Sequence, residues 1–129
     1  MRRMLIALLA LSATLTVPST ADAAGRCRQY EQLLVQHAPK GGWDVQRMSG
    51  YMYRESRCIA TIVRPGARAG DTGLLQIHPI NFPYLSRKFG VTVNTRWLQD
   101  PANNVRAAAQ LCRFWRSAGR SCYQPWRTS

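Results

Sequence analysis

Acidic residues are scarce in this chain. Six Asp and Glu stand against eighteen Lys and Arg in 129 residues, for a formal net charge of +12. Histidine occurs only twice, at His37 and His78, and the four cysteines include no Cys-x-x-Cys pair. A zinc centre needs clustered ligands of that kind, so the spacing argues against metal, and no cofactor is expected. No apolar run reaches the roughly 20 residues that cross a bilayer. There are no internal repeats, no low-complexity tracts and no linker long enough to divide the chain. The basic residues are scattered and not gathered into an arm, which argues against nucleic acid as a partner.

The N-terminus reads as a leader. Arg2 and Arg3 precede an apolar stretch from Met4 to Leu11, and Ala21-Asp22-Ala23 has small residues where a signal peptidase cuts. Residues 1–23 are therefore expected to be a signal peptide and 24–129 one small exported domain, with no membrane association after cleavage. Loss of Arg2, Arg3 and Asp22 leaves sixteen Lys and Arg and five Asp and Glu, a net charge of +11. Such a charge suits an anionic surface, whether wall polymer, membrane or DNA, and does not choose among them. An even cysteine count in a small exported domain implies two disulfides among Cys27, Cys58, Cys112 and Cys122. Three pairings are possible. A helix end followed by a Gly turn leans toward Cys112–Cys122, which leaves Cys27–Cys58.

Four helices are expected. Cys27, Tyr30, Leu34 and Ala38 recur at helical spacing, ended by Pro39, Gly41 and Gly42. Asp44 caps a second helix with Val45, Met48 and Met52 on one face. Asn81 caps a third, which stops at Gly90, and Asp100-Pro101 opens a fourth, which Gly119 ends. Val105, Ala108, Cys112 and Trp115 would form the buried face of that last helix. Gly73 to Ile77 is a short apolar element around Gln76. The fold class is α+β and mostly α, with a short β element after the second helix.

The five carboxylates of the exported chain can be sorted. Asp44 and Asp100 cap helices, and Glu31 points to water. Glu55 lies three residues after Met52 and seven after Met48, so it continues an apolar stripe. Burial disfavours a charged carboxylate, and one that keeps its proton can act as a general acid. A buried ion pair with Arg47 or a distant arginine explains the placement equally well, whereas Arg54 is expected to point elsewhere. Asp71, between Gly70 and Gly73, is either a turn residue bonded to its own backbone or a second carboxylate facing Glu55.

Arg54-Glu55-Ser56 at a helix end, followed by Gly73-Leu74-Leu75-Gln76-Ile77-His78-Pro79, resembles the core motif of soluble-lytic-transglycosylase-type domains. These belong to the lysozyme-like superfamily, which includes goose-type lysozymes. Asp100-Pro101 with Asn104, Ala107 and Ala108 resembles the helix that follows. The likeness runs from about Trp43 to Trp126, and its ending resembles forms from actinobacteria and their phages. It implies a lysozyme-like fold and cleavage of peptidoglycan glycan strands between N-acetylmuramic acid and N-acetylglucosamine. Glu55 would be acid and then base, giving a 1,6-anhydro product. Gln76 with Gly73 and Leu74 would line the sugar groove, and Thr72 loosely matches a family Ser or Thr. The family's Ala-Tyr-Asn-Ala-Gly segment is missing, so its tyrosine would have to come from Tyr123, Tyr51 or Tyr53. A hydrolytic muramidase using Glu55 with Asp71, and a non-catalytic cationic wall-binding module, are the rival readings. The expected partners are glycan strands and anionic wall polymers, and the protein is expected to be a monomer. Trp97, Trp115 and Trp126 are expected in the core.

Overall fold

The computed structural model describes residues 27–127. The expected leader, its cleavage site and the first mature residues lie outside that range. The described chain is mostly helical. α1 spans Glu31–Gly41, α2 Val45–Ser56, α3 Phe82–Phe89, α4 Thr95–Leu98 and α5 Pro101–Ser117. Short 3-10 turns at Arg28–Tyr30, Gly66–Arg68, Pro79–Asn81 and Gln124–Trp126 connect or flank them. No helix among the described residues is long and apolar enough to cross a membrane.

The caps explain most boundaries. The Asp44 carboxylate accepts from the Arg47 amide at 2.8 Å and starts α2, and Asp100 accepts from Asn103 at 3.0 Å and starts α5. Gly42 and Gly90 take the left-handed conformation that ends α1 and α3. Other expectations need correcting. Pro39 does not end α1. It sits in the last turn, and the Gly42 amide still closes onto the Ala38 carbonyl at 2.7 Å. Asn81 makes no side-chain cap. Instead, His78 Nδ1 accepts from the Ile80 amide at 3.0 Å and starts the 3-10 turn that feeds α3. α5 stops at Ser117, just short of Gly119. α4, capped by Asn94, is too short to leave a periodic signal. The short β element is no strand pair but two isolated antiparallel bridges, Val63 to Thr72 and Thr72 to Ile77.

One core joins these pieces. Leu34 of α1, Met48 and Met52 of α2, Leu85 of α3 and Val105, Ala108 and Leu111 of α5 meet Leu74, Leu75 and Ile77 of the bridged segment. The most extensive helix pair is α1 against α5. Trp43 is buried and donates to the Leu34 carbonyl, and Trp126 is buried and donates to the Leu75 carbonyl at 2.8 Å. Trp97 is half-buried and stacks on Phe89, and Trp115 is also half-buried, outside the buried face expected of it.

Two disulfides join Cys27 to Cys58 and Cys112 to Cys122. They suit an oxidising environment outside the cytoplasm. The first ties the chain before α1 to the residues just after Glu55. The second folds the C-terminal turn back on α5. Reduction is expected to destabilise the fold by roughly 2–5 kcal/mol per bridge. Thermal melting with and without reductant reads this, and an unchanged melting temperature would contradict it.

The α1–α5 boundary also sets a pH response. Burial, then the charges of Lys40 and Arg106, lower the affinity of His37 for a proton below its ordinary value of 6.5. As pH falls below 6.5 the unfolded chain takes up the His37 proton before the folded chain does, so acid draws the equilibrium toward unfolding. Native protein is therefore expected to lose more melting temperature than His37→Gln between about pH 6.5 and 5. Parallel curves would sink this assignment.

Candidate functional site

The last turn of α2 carries Glu55 inward because positions 48, 52 and 55 share one face. Its side chain is 1% exposed. The burial expected from the apolar stripe is present, and so is dense positive charge. Arg54 Nη2 lies 3.1 Å from Oε1, and Arg64 Nη2 and Arg68 Nη1 each lie 3.6 Å from Oε2. Arg54 was expected to point away. It instead folds back along its own helix, with its guanidinium 4.7 Å from the Tyr51 ring centre and bonded to the Trp126 carbonyl. The C-terminal turn is thereby fastened over the Glu55 end of α2.

Arg64 and Arg68 come from the connection after α2, which turns back on itself. The Arg64 amide donates to the Asp71 carbonyl, Gly70 donates to the Arg64 carbonyl, and Gly73 donates to Ile62. Arg64 Nη2 also donates to the Glu55 backbone carbonyl at 2.9 Å. Arg68 Nε donates to Asp71 Oδ2 at 2.7 Å. One guanidinium therefore touches both carboxylates of interest. Asp71 is fully buried, and its side chain takes Arg68 and not its own backbone. Its other oxygen lies 3.9 Å from His78 Nε2.

The segment Thr72–Ile77 is a tight turn, closed by reciprocal bonds between Thr72 and Ile77 at 3.1 and 3.0 Å. Gln76 has φ +45°, a left-handed conformation that is strained for a residue with a side chain. Its Nε2 donates to Gly73 and Ile62, while its buried Oε1 accepts no hydrogen bond among the described residues. Asn104 of α5 holds the turn from beneath. Its Nδ2 donates to Thr72 and Leu98 at 2.9 Å each, and its Oδ1 accepts from Leu75 at 2.8 Å. Gly73 has φ +81°, and a Cβ there would stand 2.1 Å from Asn104 Nδ2. That position tolerates only glycine.

A cavity of about 430 Å³ adjoins this turn, lined by Arg68, Gln76, His78, Ile80, Trp115 and Trp126 among others. Gln76 lines this cavity. Thr72, Gly73 and Leu74 do not. Leu74 is in the core, and the Thr72 hydroxyl donates to the Gly70 carbonyl at 2.7 Å. Tyr123 is also misplaced for the role considered for it. Its hydroxyl accepts from the Asp44 amide at 2.8 Å, at the far end of α2, roughly 16 Å of helix from Glu55. Tyr51 is the tyrosine one turn before Glu55 on the same face, packed between Tyr123 and Trp126. Tyr53 instead carries Arg57 over its ring.

Arg64 and Arg68 are site residues that periodicity does not reveal, because they sit in an irregular loop. The signal present in the sequence is a pair of arginines four apart around Pro65-Gly66, facing a chain with few carboxylates. Among the described residues, no group of three or more His, Cys, Asp or Glu is arranged to hold a metal. Compared with protein-family models, with curated proteins and with solved structures, the chain finds no match.

Proposed function

We propose that this protein is a lysozyme-like enzyme of the soluble-lytic-transglycosylase type that cuts the glycan strands of peptidoglycan. The observation that carries the reading is Glu55. It is a buried carboxylate at a helix end, linked through Arg68 to a second buried carboxylate and to a cavity edged by Gln76 and two tryptophans. The motif resemblance adds the substrate. In the reaction, Glu55 delivers its proton to the glycosidic oxygen as the bond to muramic acid C1 breaks. The resulting carboxylate then takes the proton of the muramoyl 6-hydroxyl, whose oxygen closes on C1. No water is consumed, and the product is the 1,6-anhydro sugar. Arg64 and Arg68, each 3.6 Å from Oε2, hold the side chain in place between the two proton transfers. Export by the N-terminal leader brings the enzyme to its substrate. The direct test is release of soluble muropeptides from purified peptidoglycan, and no release by folded protein from several wall types would contradict it.

Arg68 favours a second reading. Two carboxylates bridged by one guanidinium are near enough for two-carboxylate glycosidase chemistry, in which separations run from about 5 to about 9.5 Å. Asp71 would then activate water, and the product would carry a reducing end. Under the transglycosylase reading, Asp71→Asn is expected to keep cutting and to keep anhydro products. A fall on the order of 10²–10⁴-fold, with reducing-end products from the native protein, would favour hydrolysis. A third reading follows from the three arginines at Glu55. They would make it a structural ion pair in a non-catalytic, cationic wall-binding module.

A further inference from the structure

Acidic residues are distributed very unevenly. From Pro101 to Ser129 there are five arginines and no Asp or Glu, and from Thr72 to Gln99 there is no acidic residue at all. α1 has a single carboxylate, Glu31, in its first turn, away from Lys40 in its last. Where the C-terminal end of α1 lies against α5, these deserts coincide. Arg106, Arg113 and Arg116 project from the exposed side of α5, whose other side carries Asn104, Ala108, Leu111 and Cys112 into the core.

The cations are held in place by packing and not by acids. Lys40 Nζ stands 5.5 Å and the Arg106 guanidinium 4.2 Å from the centre of the same ring, Phe89. The Arg116 guanidinium lies over Gly42, where a Cβ would meet its Nη1 at 2.0 Å, and reaches the Lys40 carbonyl at 3.5 Å. Among the described residues, none of the four forms an ion pair with a carboxylate. Lys40, Arg113 and Arg116 line an open cavity of about 420 Å³ with Pro39 and Ser117. The assembly opposes itself. Burial, then Arg106 and Arg113, hold the Lys40 ammonium below its ordinary value, and Lys40 and Arg106 act on His37 in the same direction. A surface of this kind is relieved by a bound anion.

We propose that Lys40, Arg106, Arg113 and Arg116 form a docking surface for a phosphodiester-linked anionic polymer carried on the cell wall. The ligand class follows from the side chains. Three of the four are arginines, whose planar forks match phosphate oxygens in pairs. From Arg106 to Arg116 the cations cover roughly 15 Å of helix, more than one small anion can satisfy, so the partner is an extended polyanion. Choosing a wall polymer over nucleic acid rests on the glycan-cutting reading. The surface would hold the enzyme on polymer-bearing wall while Glu55 works at the strand.

The test is co-sedimentation of the exported chain with purified walls, before and after acid hydrolysis strips their phosphodiester polymers. Native protein is compared with Lys40→Gln/Arg113→Gln and with Arg28→Gln/Arg96→Gln, which removes equal charge elsewhere. The first variant is expected to bind intact walls on the order of tenfold more weakly. Its log–log salt slope should be shallower by about 1.4–1.8, for two lost phosphate contacts. The control variant should bind nearly as native protein does, and stripped walls should not distinguish the three. An equal loss in the control variant would overturn the proposal. So would native binding unchanged by stripping, or a preference of native protein for duplex DNA at equal phosphate concentration. Muropeptide release from stripped walls is recorded in parallel. If only docking fails, that release persists, and if only the glycan-cutting reading fails, polymer-dependent binding persists.

Discussion

Glu55→Gln is expected to lower release of soluble products from peptidoglycan by a factor on the order of 10²–10⁴, the usual contribution of a positioned general acid. The amide keeps the shape of the carboxyl group, so packing against the apolar stripe of α2 survives. It cannot deliver or retrieve the glycosidic proton. The three arginines lose their shared anion, but their side chains are 45%, 32% and 33% exposed and can turn to water. Loss of activity should therefore occur in protein that still melts cooperatively. A variant that cuts as native protein does would make Glu55 a structural ion pair and remove the reason for placing chemistry at this end of α2. A variant that no longer folds would point the same way.

Asn104→Ala is expected to produce a large loss of stability from a single polar side chain. Asn104 is fully buried and satisfies the Thr72 and Leu98 carbonyls and the Leu75 amide together. Removing it leaves the Leu98 carbonyl and the Leu75 amide without this partner, while the Thr72 carbonyl keeps the Ile77 amide. Each of these two orphaned groups costs about 1–3 kcal/mol, and partial relaxation brings the expected total to about 2–4 kcal/mol. For a domain of this size that lowers the melting temperature by roughly 8–30 °C. The turn that carries Gln76 would loosen first, since Asn104 is what joins it to α5. Thermal denaturation measures the stability change, and a drop of only a few degrees would show that the turn holds itself. Asn104→Asp would separate geometry from charge, because it keeps the acceptor for Leu75 and loses the donors to Thr72 and Leu98.

Glu55 was legible because a helix has a period. A carboxylate that extends the line of Met48 and Met52 must be buried, whatever it does there, and its side chain is buried. The caps at Asp44 and Asp100 were legible because they are local: a side chain meets an amide three residues ahead. The disulfide pairing followed a weak local preference of the same kind. What was not legible depends on contacts between distant segments. Arg64 and Arg68 reach Glu55 only because the loop after α2 closes through Gly70, Asp71 and Gly73, and no pattern in that loop announces it. Arg54 misled for a subtler reason. Its backbone position does point away from Glu55, but a long side chain can fold back along the helix, drawn by Tyr51 and the Trp126 carbonyl. Tyr123 was one of three tyrosines offered in place of the family's missing one, whereas its hydroxyl is engaged at the opposite end of α2. Thr72, Gly73 and Leu74 were expected to line the groove along with Gln76. In a turn this tight only Gln76 of the four lines the cavity, while Thr72 bonds to Gly70, Gly73 packs on Asn104 and Leu74 enters the core.

The measurement closest to the central claim is mass spectrometry of the soluble products released from purified peptidoglycan by native protein and by Glu55→Gln, side by side. Native protein is expected to release anhydro-muropeptides, each lighter by one water than its hydrolysed counterpart, and the variant essentially none. Equal yields from the two proteins, or no products from folded native protein on several wall types, would contradict that claim.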